Sequence, residues 1–288
     1  MIKVRVPATT ANCSIGFDCL GMALDWWSTF SFESSEKLQI TGCDPAFQTE
    51  DNLVLQAFYT TCDYLNEKHP TLHIDIDSTL PSSRGFGSSA MCIVAGILGA
   101  NTWFESPLSM REMLEIATRF EGHPDNVAPA LVGALSVSFM QEDHIYSTNI
   151  SCSNWHLLAM VPDEEVPTQQ ARKVLPESIP FDHAKQQIAY ALSFIQAIQN
   201  GDLELLLASC HDYLHEPYRK KLISSYEQIY TFCQENKIPM WISGSGSTMI
   251  GIHKDQQALL QLKKYVESLG IFCKEVQISK KGAYVIHE

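Results

Sequence analysis

Pro81-Ser-Ser-Arg-Gly-Phe-Gly-Ser-Ser-Ala90 is the stretch of this sequence whose residue types are best suited to holding an anion. Gly85 and Gly87 permit backbone dihedrals and close approaches that a Cβ resists. Ser88 and Ser89 can cap a following helix, whose first N–H groups and positive dipole end favour negative charge. A phosphate is the natural guest, although a strand-to-helix turn needing glycine for geometry alone would use the same residues. Three familiar loops can be tested by reading. The mononucleotide P-loop needs a lysine after its last glycine, and none follows Gly87. Gly85-x-Gly87-x-x-Ala90 meets the loose dinucleotide pattern, but that fold wants a preceding strand buried on both faces, and His73, Asp75 and Asp77 give this one a polar face. Protein-kinase signatures are absent. A phosphate loop of another kind remains.

Three further stretches carry residues able to hold polar ligands. Glu121-Gly-His-Pro-Asp-Asn126 lies between two apolar helical patterns, with Pro124 suited to start the second. Glu121 can act as a hard oxygen ligand for Mg2+, and Asp125 can accept a hydrogen bond from an alcohol. A plain interhelical turn would use the same residues, and His123 has no companion at metal-ligand spacing. Pro7-Ala-Thr-Thr-Ala-Asn-Cys-Ser-Ile-Gly-Phe-Asp18 follows the first strand. Its Asn12 and Asp18 suit an amino group or hydroxyls, and equally an Asx-type turn. Ser243-Gly-Ser-Gly-Ser-Thr248 is either a nest of backbone N–H groups or a flexible hairpin tip. The signal lies in finding four such stretches in one chain.

The elements that must position them follow from hydrophobic period. Ile2, Val4 and Val6 alternate with charge, and Ala23 to Phe32 predicts a second strand. Apolar positions from Leu53 to Leu65 predict a helix, His73 to Asp77 a strand with one wet face, and residues 91–104 an apolar helix. Ser109-Met-Arg-Glu112 and Ser224 to Glu227 both have capping-box spacing. Ile188, Leu192 and Ile195 continue a helical stripe closed by Gly201. Two short strands, Met240–Ile242 and Met249–Ile252, flank the 243–248 turn. A helix through Leu259, Leu262 and Val266 and two closing strands follow. Without strict βαβ alternation the expected class is α+β. The polar stretch from Gln141 to Asn154 marks the expected boundary, dividing the chain into residues 1–152 and 153–288.

The chain has 288 residues, 45% of them apolar and 18% charged, which is ordinary globular composition. Twenty Lys and Arg against 33 Asp and Glu give a net charge of −13, which argues against nucleic-acid or anionic membrane partners while allowing a local basic pocket. The longest apolar run, Met91 to Ala100, falls far short of the roughly 20 residues of a membrane span. Nine scattered cysteines without a CxxC pair read as buried thiols of a reducing compartment, so a cytoplasmic location is expected.

Taken in order, the four stretches resemble the GHMP small-molecule kinases. Pro81 to Ala90 is similar to that family's P-x-x-x-G-L-G-S-S-A phosphate loop, with Phe86 where Leu is usual. Ser243 to Thr248 is similar to its third motif, G-S-G-P-T, with Ser247 in place of Pro. PATTANCSIGFDCLG, HPDNVAPAL, the segment from Pro167 to Pro176 and His215-Glu-Pro-Tyr-Arg219 are similar to the branch that acts on the amino acid L-homoserine. The resemblance covers nearly the whole chain.

It implies a two-domain fold, an N-terminal ATP-binding domain like the second domain of ribosomal protein S5 and a C-terminal ferredoxin-like domain, with the site between them. The implied reaction moves the γ-phosphoryl of ATP to the side-chain hydroxyl of L-homoserine, a step toward threonine. By motif, Pro81, Ser82, Ser83, Arg84, Gly85, Phe86, Gly87, Ser88, Ser89, Ala90 and Met91 would wrap the triphosphate. Thr168 would lie beside the nucleotide, and Asn52 near the adenine. Ser89 and Glu121 would hold Mg2+. Asn12, Asp18, His123, Asp125, Asn126 and Gly246 would surround the amino acid, with Arg172 and Arg219 on its carboxylate. Asp125, Asn126 and Arg172 would act on the reacting groups, Asp125 orienting the hydroxyl. Glu121 stands closer to His123 than in other members. Homodimers are common in the family. A mevalonate or sugar kinase is disfavoured by the paired arginines, and a non-catalytic sensor by the presence of Ser89, Glu121 and Asp125.

Overall fold

The computed structural model describes residues 1–142 and 144–286. The alternating start of the chain forms β1 (Ile2–Ala11), antiparallel to β2 (Leu20–Ser34), with Val4 opposite Phe30 and Ile2 opposite Phe32. β2 is longer than its apolar run predicts. The register shifts between Pro7 and Thr9. A proline inside a central strand lacks a ladder donor, and such a break accommodates it. β2 is the hub of a seven-stranded sheet. One half of it pairs with β4 (Leu72–Asp77), which carries the parallel β3 (Gln39–Thr41). The other half pairs with β5 (Leu135–Gln141), which carries β6 (His144–Ile150). The outer edge of β1 takes β11 (Tyr284–Ile286) from the end of the chain.

Four helices pack on this sheet. α1 (Leu53–Leu65) is capped by Asn52, whose side chain accepts from the Val54 amide at 2.9 Å. α2 (Ser88–Trp103) is buried along most of its length, as its unbroken apolar sequence requires. α3 (Met110–Glu121) starts with the expected Ser109–Glu112 capping box. α4 (Pro124–Val132) begins at its proline, which puts Asp125 and Asn126 in a first helical turn.

The second sheet runs β10 (Phe272–Val276), β7 (His156–Val161), β9 (Met249–His253), β8 (Met240–Ile242). Both of its faces are buried, in different cores. Leu158, Met160, Met240 and Ile242 pack with α9 (Tyr226–Glu235) and α10 (Gln256–Ser268), while Leu157, Ala159, Trp241 and Ile250 join the core of the first sheet. Those strands therefore read as continuous apolar runs. α5 (Thr168–Lys173), α6 (Phe181–Asn200), α7 (Leu203–Ser209) and α8 (Glu216–Arg219) complete the chain. The architecture is α+β, as expected.

Local expectations differ from the structure in three places. Ser224 does not cap α9 through Glu227: its amide and hydroxyl bond the Glu164 carboxylate, and Glu227 pairs with Lys220. The stripe on α6 turns outward, with Ile188 and Leu192 exposed. Half of the polar stretch 141–154 is the edge strand β6, polar because one side faces water; Asp143 within the stretch lies outside the described residues. The crossing to the second sheet occupies residues 151–155. All nine cysteines are free thiols. Among the described residues no helix is long and apolar enough to cross a membrane.

Trp241 stitches the two sheets: fully buried, it donates from Nε1 to the equally buried Thr10 hydroxyl at 3.0 Å. Trp241→Phe leaves that hydroxyl unsatisfied and a void beside it. Denaturant unfolding is expected to show a loss of about 2–4 kcal/mol.

Candidate active site

The carbonyls of the loop before α2 are held from two sides, by β1 and by the 243–248 turn. The Thr9 amide donates to the Phe86 carbonyl at 3.0 Å, the Thr248 amide to the Arg84 carbonyl at 3.2 Å, and the Ser243 hydroxyl to the Gly85 carbonyl at 2.6 Å. Gly87 has φ +66°, and a Cβ there would lie 2.1 Å from Thr9 Oγ1 and 2.7 Å from Asn126 Oδ1. Gly85, at φ +86°, would put one 2.2 Å from the Ser243 carbonyl. Only glycine lets the chain run this close. The result aims the first amides of α2, with Ser88 and Ser89, into a cavity of about 270 Å³.

At that helix start, Ser89 Oγ donates to Glu121 Oε1 at 2.5 Å. Burial raises Glu121 above its ordinary carboxylate value, against the lowering effects of Ser89 and His123. His123 Nδ1 bonds Asp125 Oδ1, and that hydrogen bond raises the imidazole. Asn126 Oδ1 accepts from Thr9 Oγ1 at 2.7 Å, so β1 fixes its amide.

The far end of the cavity is built by the turn after β1 and by two arginines. Asn12 Oδ1 accepts from the Asp18 amide at 3.0 Å, and its Nδ2 donates to the Gly244 carbonyl at 3.1 Å. Asp18 takes Arg172 through both carboxylate oxygens at 2.9 Å, a fork-to-fork pair that raises the guanidinium pKa. Arg219 is buried, bonded to the Gly244 carbonyl at 2.8 Å and the Ala171 carbonyl at 3.2 Å, and burial lowers its pKa. Neither carbonyl carries a full charge, so Arg219 retains capacity for an anion.

Of the residues expected from sequence, Asn12, Asp18, Ser83, Gly85, Gly87, Ser88, Ser89, Glu121, His123, Asp125, Asn126, Thr168, Arg172 and Arg219 line this one cavity. Others stand apart from its wall. Asn52 is engaged as the α1 cap and donates to the Phe47 carbonyl. Phe86 is fully buried, edge-on to Trp26 at 5.2 Å, while Ala90 and Met91 point into the core. Pro81 and Arg84 line a more open hollow toward Phe272, and Arg84 binds Glu165 at 2.8 Å and the Asp163 carbonyl at 2.7 Å. Neither Ser82 nor Gly246 lines the cavity, where Gly244 and Ser245 stand instead. Sequence reasoning passed over the Gly244 carbonyl and over Phe17, whose ring lies 5.0 Å from the Arg219 and 5.7 Å from the Arg172 guanidinium carbon. Phe17 stood inside a quoted motif, but nothing in its spacing marked it.

The donor set suits a hard cation. Among the described residues no cluster of three or more His, Cys, Asp or Glu side chains could hold a metal alone. One carboxylate and one hydroxyl, Glu121 and Ser89, fit Mg2+, which completes its shell with substrate phosphates and water.

Residues 52–134 match the N-terminal domain of the GHMP kinases, and residues 194–271 match their C-terminal domain. This is the fold and phosphate-loop architecture of a small-molecule kinase. A homoserine kinase of Clostridium acetobutylicum is 37% identical over 99% of this chain and 100% of its own length. One of Clostridium botulinum is 36% identical, covering 99% and 98%. The crystal structure of homoserine kinase from Cytophaga hutchinsonii superposes with a TM-score of 0.87 at 27% identity, covering 99% of this chain and 97% of that one. The chain belongs to the GHMP kinase family, in its homoserine kinase branch.

Glu216, buried beside Arg219, offers a pH test. Burial, then Asp212, pushes its carboxyl from 4.5 up to about 8, so it is largely neutral at pH 7. The folded state thus holds a proton that the unfolded chain releases. This contribution to stability is whole below about pH 4.5 and is lost as pH rises through 8. Glu216→Gln abolishes that loss. Thermal melts from pH 6 to 9 should show the variant gaining on the wild type as pH rises.

Proposed function

We propose that this chain transfers the γ-phosphoryl group of ATP to the side-chain hydroxyl of L-homoserine, giving O-phospho-L-homoserine and ADP on the route to threonine. The observation that carries this reading is the Asp18–Arg172 pair beside Arg219, in the same cavity as the start of α2. An α-amino acid brings one ammonium and one carboxylate. Entering here, it can give its ammonium to Asp18 and its carboxylate to the two arginines, so that each of its own charges meets an opposite one. A neutral sugar offers the buried Arg219 no carboxylate, and a plain hydroxy acid offers Asp18 no ammonium.

On this reading residues 1–152 supply the phosphate end and residues 153–288 the arginines. The triphosphate lies along the amides of residues 85–90, where the helix dipole and backbone N–H groups receive its charge. Ser89 and Glu121 would hold Mg2+, which when bound neutralises charge on the phosphates. As the hydroxyl oxygen bonds to phosphorus, the bond to the bridging oxygen of ADP breaks and the hydroxyl proton passes to an oxygen of the transferred phosphoryl group and from there to water. A loose transition state makes positioning the main task. Asp125, held by His123, orients the hydroxyl, and Asn126, held by Thr9, stands beside it.

An ADP-release assay with Mg·ATP tests this against L-homoserine, L-serine, L-threonine, mevalonate and galactose. Turnover with L-homoserine above the others is expected; turnover with another alcohol alone would discard the amino-acid site. Arg172→Lys loses the bidentate fork. It is expected to raise the KM for L-homoserine by about 10–100-fold, with a far smaller change in the KM for ATP. Asp125→Asn should keep kcat within about tenfold, since orientation survives; a loss of several powers of ten would make Asp125 a base.

A further inference from the structure

Beneath the turn that follows β1 lies a buried polar cluster that the reaction as described does not use. Asn12, Cys13, Ser14 and Asp18 all adopt positive φ, at 68°, 44°, 67° and 58°. Non-glycine residues hold that conformation only when their surroundings impose it. Hydrogen bonds of Asn12 fix the ends of the turn, and its middle is gripped from the second half of the chain. His215 Nε2 lies 2.7 Å from the Ser14 carbonyl, and Glu216 Oε2 shares a 3.4 Å hydrogen bond with the Ser14 hydroxyl. Glu216 Oε1 accepts the Ile242 amide at 2.7 Å, tying the grip to β8. Asp212 sets the pair in place by accepting the backbone amides of His215 and Glu216 at 2.6 and 2.8 Å.

The tautomer follows from the partner. A carbonyl acceptor requires a proton on Nε2, and burial keeps the ring neutral, which leaves Nδ1 bare; that atom has no partner. The imidazole also stacks on Phe17 at 5.4 Å, and Phe17 in turn lies against both arginines.

We propose that His215 and Glu216 are positioning residues for the amino-acid end of the site. Through Ser14 and Phe17 they set Asp18 at its working distance from Arg172 and Arg219, and so govern affinity for the amino acid without governing affinity for the nucleotide. The phosphate end is separately held by the 84–87 backbone contacts. The inference rests on the reading that Asp18 and the arginines take L-homoserine.

Conservative and disruptive replacements separate positioning from bulk stability. His215→Gln keeps an N–H near the place of Nε2, while His215→Phe keeps a ring and loses the donor. Glu216→Gln keeps both bonding partners, and Glu216→Leu keeps neither. His215→Phe and Glu216→Leu are expected to raise the KM for L-homoserine about tenfold or more, with kcat and the KM for ATP within about threefold of wild type. The two Gln variants should stay within about threefold in every parameter. Phe17→Leu, at a partly exposed position, should raise the same KM alone and serves if the disruptive variants do not fold. An unchanged KM for L-homoserine in these variants, parallel shifts in both KM values, or Gln variants as impaired as the disruptive ones overturns the proposal. A wild type that does not turn over L-homoserine overturns the underlying reading and this inference with it; wild-type turnover with insensitive variants overturns this inference alone.

Discussion

Where residues 84–87 pass between β1 and the 243–248 turn, stretches of backbone lie too close for side chains to intervene. The loop can aim the amides of α2 only because β1 holds it from one side and the link between β8 and β9 from the other. That link belongs to the second sheet and the loop to the first. The relation of the two sheets is therefore fixed at the point where the phosphate would sit. The Gly244 amide donates to the Ala11 carbonyl at 3.2 Å, and the Gly244 carbonyl carries both Asn12 and Arg219. One short turn thus serves the phosphate loop with one edge and the amino-acid end with the other.

Charge is arranged against the background of an acidic chain with a formal net charge of −13. An anion approaching such a protein meets repulsion until it reaches the cavity, where helix amides, Arg172 and Arg219 concentrate positive potential. Asp18 neutralises Arg172 before a substrate arrives, while Arg219 is held by carbonyls. A lone anion can meet Arg219 but offers Asp18 nothing, whereas a zwitterion meets Asp18 and the arginines at once. Discrimination of this kind comes from the penalty on an incomplete match more than from the strength of any one contact.

The motifs that do chemistry were legible because their backbone demands restrict residue type. Gly85 and Gly87 tolerate no side chain, Pro124 suits the first position of a helix, and Ser109 with Glu112 is a reciprocal cap. What stayed hidden depended on tertiary partners. Ser224 and Glu227 have the spacing of a cap but are engaged by Glu164, distant in sequence, and by Lys220 in the preceding turn. Asn52 and Phe86 match motif positions, yet one is consumed by its own helix and the other by contact with Trp26. The outward stripe of α6 obeys the same 3.6-residue period as a buried one, so period alone could not tell which way it faces. The grip of His215 and Glu216 on Ser14 spans about two hundred residues of sequence, and no local pattern encodes it.

The pairing of β11 with β1 has a consequence for how the molecule is assembled on the ribosome. Lys3 meets Ile286 across that ladder, so the second sheet, from β7 to β10, is in effect an insertion between partners at opposite ends of the chain. While the chain is being made, β1 can pair with β2 at once but keeps its outer edge open until residues 284–286 emerge. An unpaired strand edge is an invitation to pair with another chain. The window for mispairing thus closes only when residues 284–286 arrive, and the three-residue strand that closes it is worth more to solubility during synthesis than its size suggests.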